Sequence, residues 1–182
     1  LGAKVITASD SAGSIVDEEG FTTDKLAHLI DIKNSRYGRI KDYANERGLT
    51  YLEGQRPWSV PTDIALPCAT QNELELADAK LLIQNGVQAV AEGANMPTNI
   101  DATEALMAAN VLFAPGKAAN AGGVATSGLE MAQNAGRVSW RAEKVDLRLQ
   151  HIMHDIHEAC VNYCGEKAQT DYVSGANIAG YV

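Results

Sequence analysis

Four short apolar runs constrain this chain more than any other feature. They are Ala3–Ala8, Asp63–Leu66, Gln88–Ala91 and Val111–Ala114. Each stops at a polar or Gly/Pro cluster and is followed by a helical pattern. None alternates apolar with polar residues, so each reads as a strand buried on both faces, which points to a parallel sheet. Strands alternating with helices predict an α/β, doubly wound architecture. Thr22 or Thr23 can N-cap a helix with Leu26, Leu29, Ile30 and Ile32 inward. Further helices are predicted at Asp42–Arg47, ended by Gly48, at Glu73–Asn85, ended by Gly86, and at Ala102–Ala109 and Ala118–Val138. The longest is expected over Glu143–Cys164, with a stripe at Val145, Leu149, Ile152, Ile156, Ala159 and Tyr163. The tail, residues 173–182, reads as Gly-rich and apolar, without an element.

A length of 182 residues suits one domain with a sizeable core. The net charge of −8 argues against nucleic acid as a partner. No apolar run reaches the roughly 18 residues of a membrane span, and no leader pattern opens the chain. Cys68, Cys160 and Cys164 are too few for a disulfide framework and suit a reducing, cytoplasmic setting.

Ligands of doubly wound sheets bind beyond the carboxyl ends of the strands. Here those ends carry Ser9-Asp10-Ser11, Pro67 to Asn72, Glu92-Gly93-Ala94-Asn95, and Pro115 to Asn120. Four such exits are expected to line one crevice. Asp10, closing the first run, either accepts hydrogen bonds from a ribose or caps its own turn. Lys33, Arg36, Arg39 and Lys41 are four of the fifteen basic residues. They form either a solvated face or an anion site, to which Ser11 would add a donor. The segment Asn120 to Gly128 is small-residued. It would let a ligand carboxylate approach a helix N-terminus, with Ser127 as a further donor, or would simply pack closely.

Other features carry less. His151, His154, His157 and Cys160 step by three, so they drift about 60° per step around a helix, and no metal-site motif accompanies them. Cys68 has no nearby His to activate it. Trp58 and Trp140 read as packing residues.

The motifs SDSAG, PCATQNE, EGANMPT and FAPGKAANAGGVATSGLEMAQN together resemble the cofactor domain of the hexameric glutamate dehydrogenases. The resemblance covers essentially the whole chain and is nearest the bacterial NADP-dependent type. It implies a Rossmann-like sheet and hydride transfer between glutamate and 2-oxoglutarate plus ammonium, without a metal. By the same resemblance, Asp10 and Ser11 lie at the adenosine ribose and its 2′-phosphate, with Lys33, Arg36 and Arg39 around that phosphate. Ala69, Thr70 and Gln71 lie along the cofactor. Asn95 meets the nicotinamide ribose and Asn120 the carboxamide. Val124 and Ser127 touch the substrate, Ser127 at its distal carboxylate. An acid at the first strand exit ordinarily suggests NAD, whereas the basic cluster and the resemblance suggest NADP.

The family's catalytic lysine and aspartate lie in an N-terminal domain. Residues 1–182 therefore resemble a partial dinucleotide-binding domain, lacking its first strand and glycine-rich loop. It contains no catalytic residue of its own and is expected to be inactive in isolation. Its parent is expected to be a homohexamer. An open sheet would make the isolated chain self-associate or pair Ala3–Ala8 differently. Two other readings are a cofactor domain for another amino acid, such as leucine, valine or phenylalanine, and a non-catalytic nucleotide- or partner-binding module.

Overall fold

A computed structural model describes residues 2–165 and 169–182. The chain divides into two compact units, Leu1–Pro61 and Thr62–Val182.

The first unit is built on an antiparallel sheet, β1 (Thr7–Asp10), β2 (Gly13–Val16) and β3 (Thr50–Glu53), in that order. The first apolar run was expected in a parallel sheet, and its start was expected at Ala3. Instead the strand begins at Thr7, and the two residues Ser11 and Ala12 turn the chain straight back, pairing Asp10 with Gly13. A turn that short can only join antiparallel strands. Asp10 makes the turn itself, its Oδ1 accepting the Ala12 N–H at 2.9 Å. Position 13 must be glycine, because a Cβ there would lie 2.4 Å from the Leu52 carbonyl oxygen.

Two helices cover this sheet. Thr22 caps α1 (Thr23–Ile30) by accepting the Lys25 N–H at 3.3 Å. The expected stripe is only half right. Leu26 and Ile30 are each 48% exposed, while Leu29 and Ile32 pack on the core. The two pairs lie on different edges of a helix, and the chain buries the second. α1 widens into one π turn, Asp31–Ser35, which carries Lys33. α2 (Ile40–Arg47) follows, ended as expected by Gly48 in the left-handed region, φ 66°. The core is Ile15, Ile32, Ile40, Tyr43 and Ala44.

The second unit holds the parallel sheet. β4 (Ile64–Ala65), β5 (Ala89–Ala91) and β6 (Leu112–Ala114) pair in that order, all parallel. α3 (Leu76–Gln84) connects the first two and α4 (Ile100–Ala108) the last two. This is the βαβ pattern read from the last three apolar runs. The expected helix over Ala118–Val138 divides into α5 (Gly116–Ala119) and α6 (Gly122–Gly136), with a break at Asn120 and Ala121. The long helix, α7 (Ala142–Tyr163), lies where expected. Its stripe is half-buried, except for the exposed Tyr163, and Cys160 is the residue it buries fully.

The tail, Gly-rich and apolar in sequence, forms α8 (Tyr172–Ala179). Asp171 caps it, accepting from the Ser174 N–H at 2.9 Å and the Ser174 hydroxyl at 2.7 Å. Gly175 lets α8 press onto α7: a Cβ there would lie 2.0 Å from the Cys160 carbonyl oxygen. Among the described residues, no helix is long and apolar enough to cross a membrane.

Candidate functional site

In the first unit, the strand exit and the basic run meet. The Asp10 side chain is 11% exposed. Its Oδ1 holds the Ala12 N–H, and its Oδ2 accepts the Ile40 N–H at 3.2 Å, at the start of α2. Lys33 Nζ stands 3.7 Å from the same Oδ2. Burial by itself would raise the Asp10 carboxyl. The Ala12 and Ile40 N–H groups, with the charges of Lys33 and Arg39, outweigh it and hold the group below its ordinary value.

Arg39 reaches across from the start of α2 and donates from its guanidinium to Ser11 Oγ at 3.0 Å. Its backbone N–H is fixed by Asp42 Oδ2 at 2.8 Å. Ser11 and Arg39 are both exposed. So Asp10 turns inward and binds backbone, while a hydroxyl, a guanidinium and an ammonium stand at the same turn. That donor set suits a phosphate monoester: fixed hydroxyl, planar fork and point charge. The remaining basic residues are placed otherwise. Arg36 binds Asp31 at 2.8 Å and Glu46 at 2.9 Å, and Lys41 binds Glu53 at 2.8 Å.

In the second unit, the three remaining strand exits are knitted together. Gly93 N–H donates to the Pro67 carbonyl at 2.9 Å, and Asn72 N–H to the Met96 carbonyl at 3.0 Å. Asn120 Nδ2 donates to the Ala94 carbonyl and to Asn95 Oδ1, both at 2.8 Å. Two of the expected site residues are thus in direct contact. Ala69, Thr70 and Gln71 lie exposed along the first of these exits, and the Ala69 N–H is held by Glu73 Oε1 at 3.0 Å.

Glu92 organises this end of the sheet, and the sequence reading did not single it out. It is 6% exposed. Its Oε2 accepts the Gly116 N–H at 2.6 Å, and its Oε1 the Thr98 N–H at 3.2 Å. An acid directly after an apolar strand and before Gly-Ala-Asn was the available signal. Proximity requires glycine at 116, where a Cβ would lie 2.7 Å from the Ala94 carbonyl oxygen, whereas a Cβ on Gly93 would meet Cys68 Sγ at 2.4 Å and displace that side chain.

α6 begins at Gly122, and its first N–H groups have no acceptor within the helix. Val124, 74% exposed, and the exposed Ser127 stand on its first turns. Lys117 hydrogen-bonds Asn177.

The weaker candidates gain no site. Cys68 is exposed, and burial of its sulfur first, then Glu73, push its thiol up. His157 faces Tyr172 at 3.4 Å. Among the described residues, no group of three or more His, Cys, Asp and Glu is placed to hold a metal ion.

The family model for glutamate/leucine/phenylalanine/valine dehydrogenases matches residues 1–182. An NADP-specific glutamate dehydrogenase from an unknown prokaryotic organism is 74% identical over all of this chain and 41% of its own length. The NADP-specific glutamate dehydrogenase of Escherichia coli K12 is 72% identical, with the same coverage. The crystal structure of Plasmodium falciparum glutamate dehydrogenase superposes with a TM-score of 0.93 at 47% identity, over 98% of this chain and 39% of that one. The chain therefore spans about 41% of the length of the curated relatives it matches.

Proposed function

Since this chain belongs to the glutamate/leucine/phenylalanine/valine dehydrogenase family, we propose that it is the cofactor-binding part of an NADP-dependent glutamate dehydrogenase. The enzyme interconverts glutamate with 2-oxoglutarate plus ammonium, acts in the cytoplasm and assembles as a homohexamer. The observation that carries the cofactor choice is the Arg39 contact to Ser11 beside an inward-turned Asp10. A free carboxylate at this exit would repel a 2′-phosphate. One occupied by two backbone N–H groups and faced by Lys33 leaves the outward surface to donors.

The residues divide the work. In the first unit, Arg39, Lys33 and Ser11 hold the 2′-phosphate, and Asp10 fixes the turn that presents Ser11. In the second unit, Ala69, Thr70 and Gln71 lie along the cofactor, Asn95 bonds the nicotinamide ribose, and Asn120 bonds the carboxamide. Because Asn120 also holds Asn95 and Ala94, the ring's orientation is tied to the strand ends rather than to a free loop. Val124 flanks the substrate, and Ser127 donates to its distal carboxylate at the start of α6, where the helix dipole favours an anion. The bound cofactor supplies the hydride.

A steady-state assay of the complete enzyme tests this. We expect NADPH oxidation that requires 2-oxoglutarate and ammonium. Ser127→Ala should raise KM for 2-oxoglutarate about tenfold, the size of one hydrogen bond to a charged group. An enzyme that prefers the keto acid of leucine, valine or phenylalanine would overturn the substrate, because an apolar side chain offers Ser127 no carboxylate.

A further inference from the structure

The π turn and α2 are tied by an ion-paired chain that the proposed phosphate site does not itself contain. Arg36 Nε donates to Asp31 Oδ2 at 2.8 Å, and its other arm donates to Glu46 Oε1 at 2.9 Å. Glu46 Oε2 lies 2.8 Å from His28 Nε2, and Arg47 Nε donates to His28 Nδ1 at 2.9 Å. The chain thus runs from α1 through the π turn to the last turn of α2.

Its geometry bears directly on Lys33 and Arg39. Asp31 opens the π turn, and Arg36 closes it. The Arg36 N–H bonds the Asp31 carbonyl at 3.1 Å, so backbone and side chain clamp the same five-residue turn. Lys33 sits inside that clamp. Beyond it, Tyr37 adopts the left-handed region at φ 55° with its ring 89% exposed, and Gly38 packs against Ile32. Arg39 then starts α2, whose far end is held by the Glu46 arm of Arg36. Hence Lys33 and Arg39, on either side of one short connection, both reach one turn, at Asp10 and Ser11. A π turn is rare within a helix and is often found at a functional site. Consistent with the pairing, Arg36 holds the Asp31 carboxyl below its ordinary value, helped by Ser35.

Building on the NADP reading above, we propose that Arg36 is a positioning residue for cofactor discrimination and not a phosphate ligand. It acts through Asp31 and Glu46 to hold Lys33 and Arg39 at the spacing that fits a 2′-phosphate. The resemblance placed Arg36 among the phosphate-binding residues. The structure turns its Nε and one terminal nitrogen onto carboxylates instead.

The two roles differ in the sign of an effect. Asp31 and Glu46 are negative charges close to a proposed anion site. If charge alone mattered, removing either would leave phosphate binding unchanged or strengthen it. If they hold the frame, removing either weakens it.

The test is calorimetric titration of the complete enzyme with NADPH, NADH and adenosine 2′,5′-bisphosphate, for wild type, Asp31→Ala, Glu46→Ala, Arg36→Gln and Arg36→Gln/Glu46→Ala. Each single variant should raise Kd for NADPH and the bisphosphate about threefold to fivefold, the size of one exposed ion pair, with NADH unchanged. The double variant should lose less than the sum of its parents, because both changes remove the same Arg36–Glu46 pair. Unchanged or tighter NADPH binding in Asp31→Ala and Glu46→Ala overturns the positioning role. So does an equal loss for NADPH and NADH, which would mark general loosening. A wild type without preference for NADPH over NADH overturns the NADP reading and this proposal with it.

Discussion

The carboxylate of Glu92 accepts the backbone N–H of Gly116 at 2.6 Å, joining the exit of β5 to the exit of β6. With its other oxygen on the Thr98 N–H, this buried acid replaces water for two backbone donors at once. The Asn95–Asn120 contact rests on the frame it makes.

Glu92→Gln should therefore destabilise the chain. A glutamine offers one accepting oxygen and points an N–H at the second donor, leaving one buried group unsatisfied, at about 1–3 kcal/mol. Urea unfolding followed by circular dichroism gives the difference. A midpoint equal to wild type would mean that the Gly116 N–H finds another partner.

Asp10 sets a pH dependence in the first unit. Its carboxyl sits below its ordinary value of 3.8. A depressed carboxylate contributes stability that is fully present above its unfolded pKa, and that stability is lost as pH falls through the lower folded one. The stability gap between wild type and Asp10→Asn should thus be widest near neutral pH and shrink as pH drops below about 4. Trp58, 7% exposed in the same unit, gives the fluorescence signal once Trp140 is replaced by Phe. A gap that stays constant, or widens in acid, would contradict the sign.

Gly175→Ala tests the crossing of α7 and α8. The added Cβ would meet the Cys160 carbonyl oxygen at 2.0 Å, and a helical backbone oxygen cannot swing aside. The helices must separate, a loss of about 1–3 kcal/mol or more. Thermal unfolding checks it, and an unshifted midpoint would show that the helices do not pack this closely.

The sequence announced some of this and hid the rest, for physical reasons. The strands of the parallel sheet were legible because burial on both faces makes each a bare apolar run between breakers, as at Val111–Ala114 before Pro115. Helix ends were legible where glycine takes the left-handed conformation, as at Gly48 and Gly86. β2 and β3 were not, because four-residue antiparallel strands such as Thr50–Glu53 are too short to show a period. α8 was hidden because Gly175 and its neighbours weaken helix propensity, and the close packing on Cys160 that requires glycine is visible only in three dimensions. At the site, Arg39 and Ser11 were named from composition and resemblance, and the fold brings them into contact. Arg36 was named on the same grounds, yet its partners, Asp31 and Glu46, are five and ten residues away, a pairing that charge counting does not distinguish from a phosphate site.

In our reading the Ser11–Arg39–Lys33 cluster recognises the 2′-phosphate of NADPH. The most direct measurement is the Kd of the complete enzyme for NADPH and for NADH, before and after Arg39→Gln. Wild type should bind NADPH more tightly than NADH. In the variant, NADPH binding should weaken about tenfold, the size of a charge-assisted hydrogen bond, while NADH binding stays unchanged. Equal weakening of both cofactors, or no change in either, would contradict it.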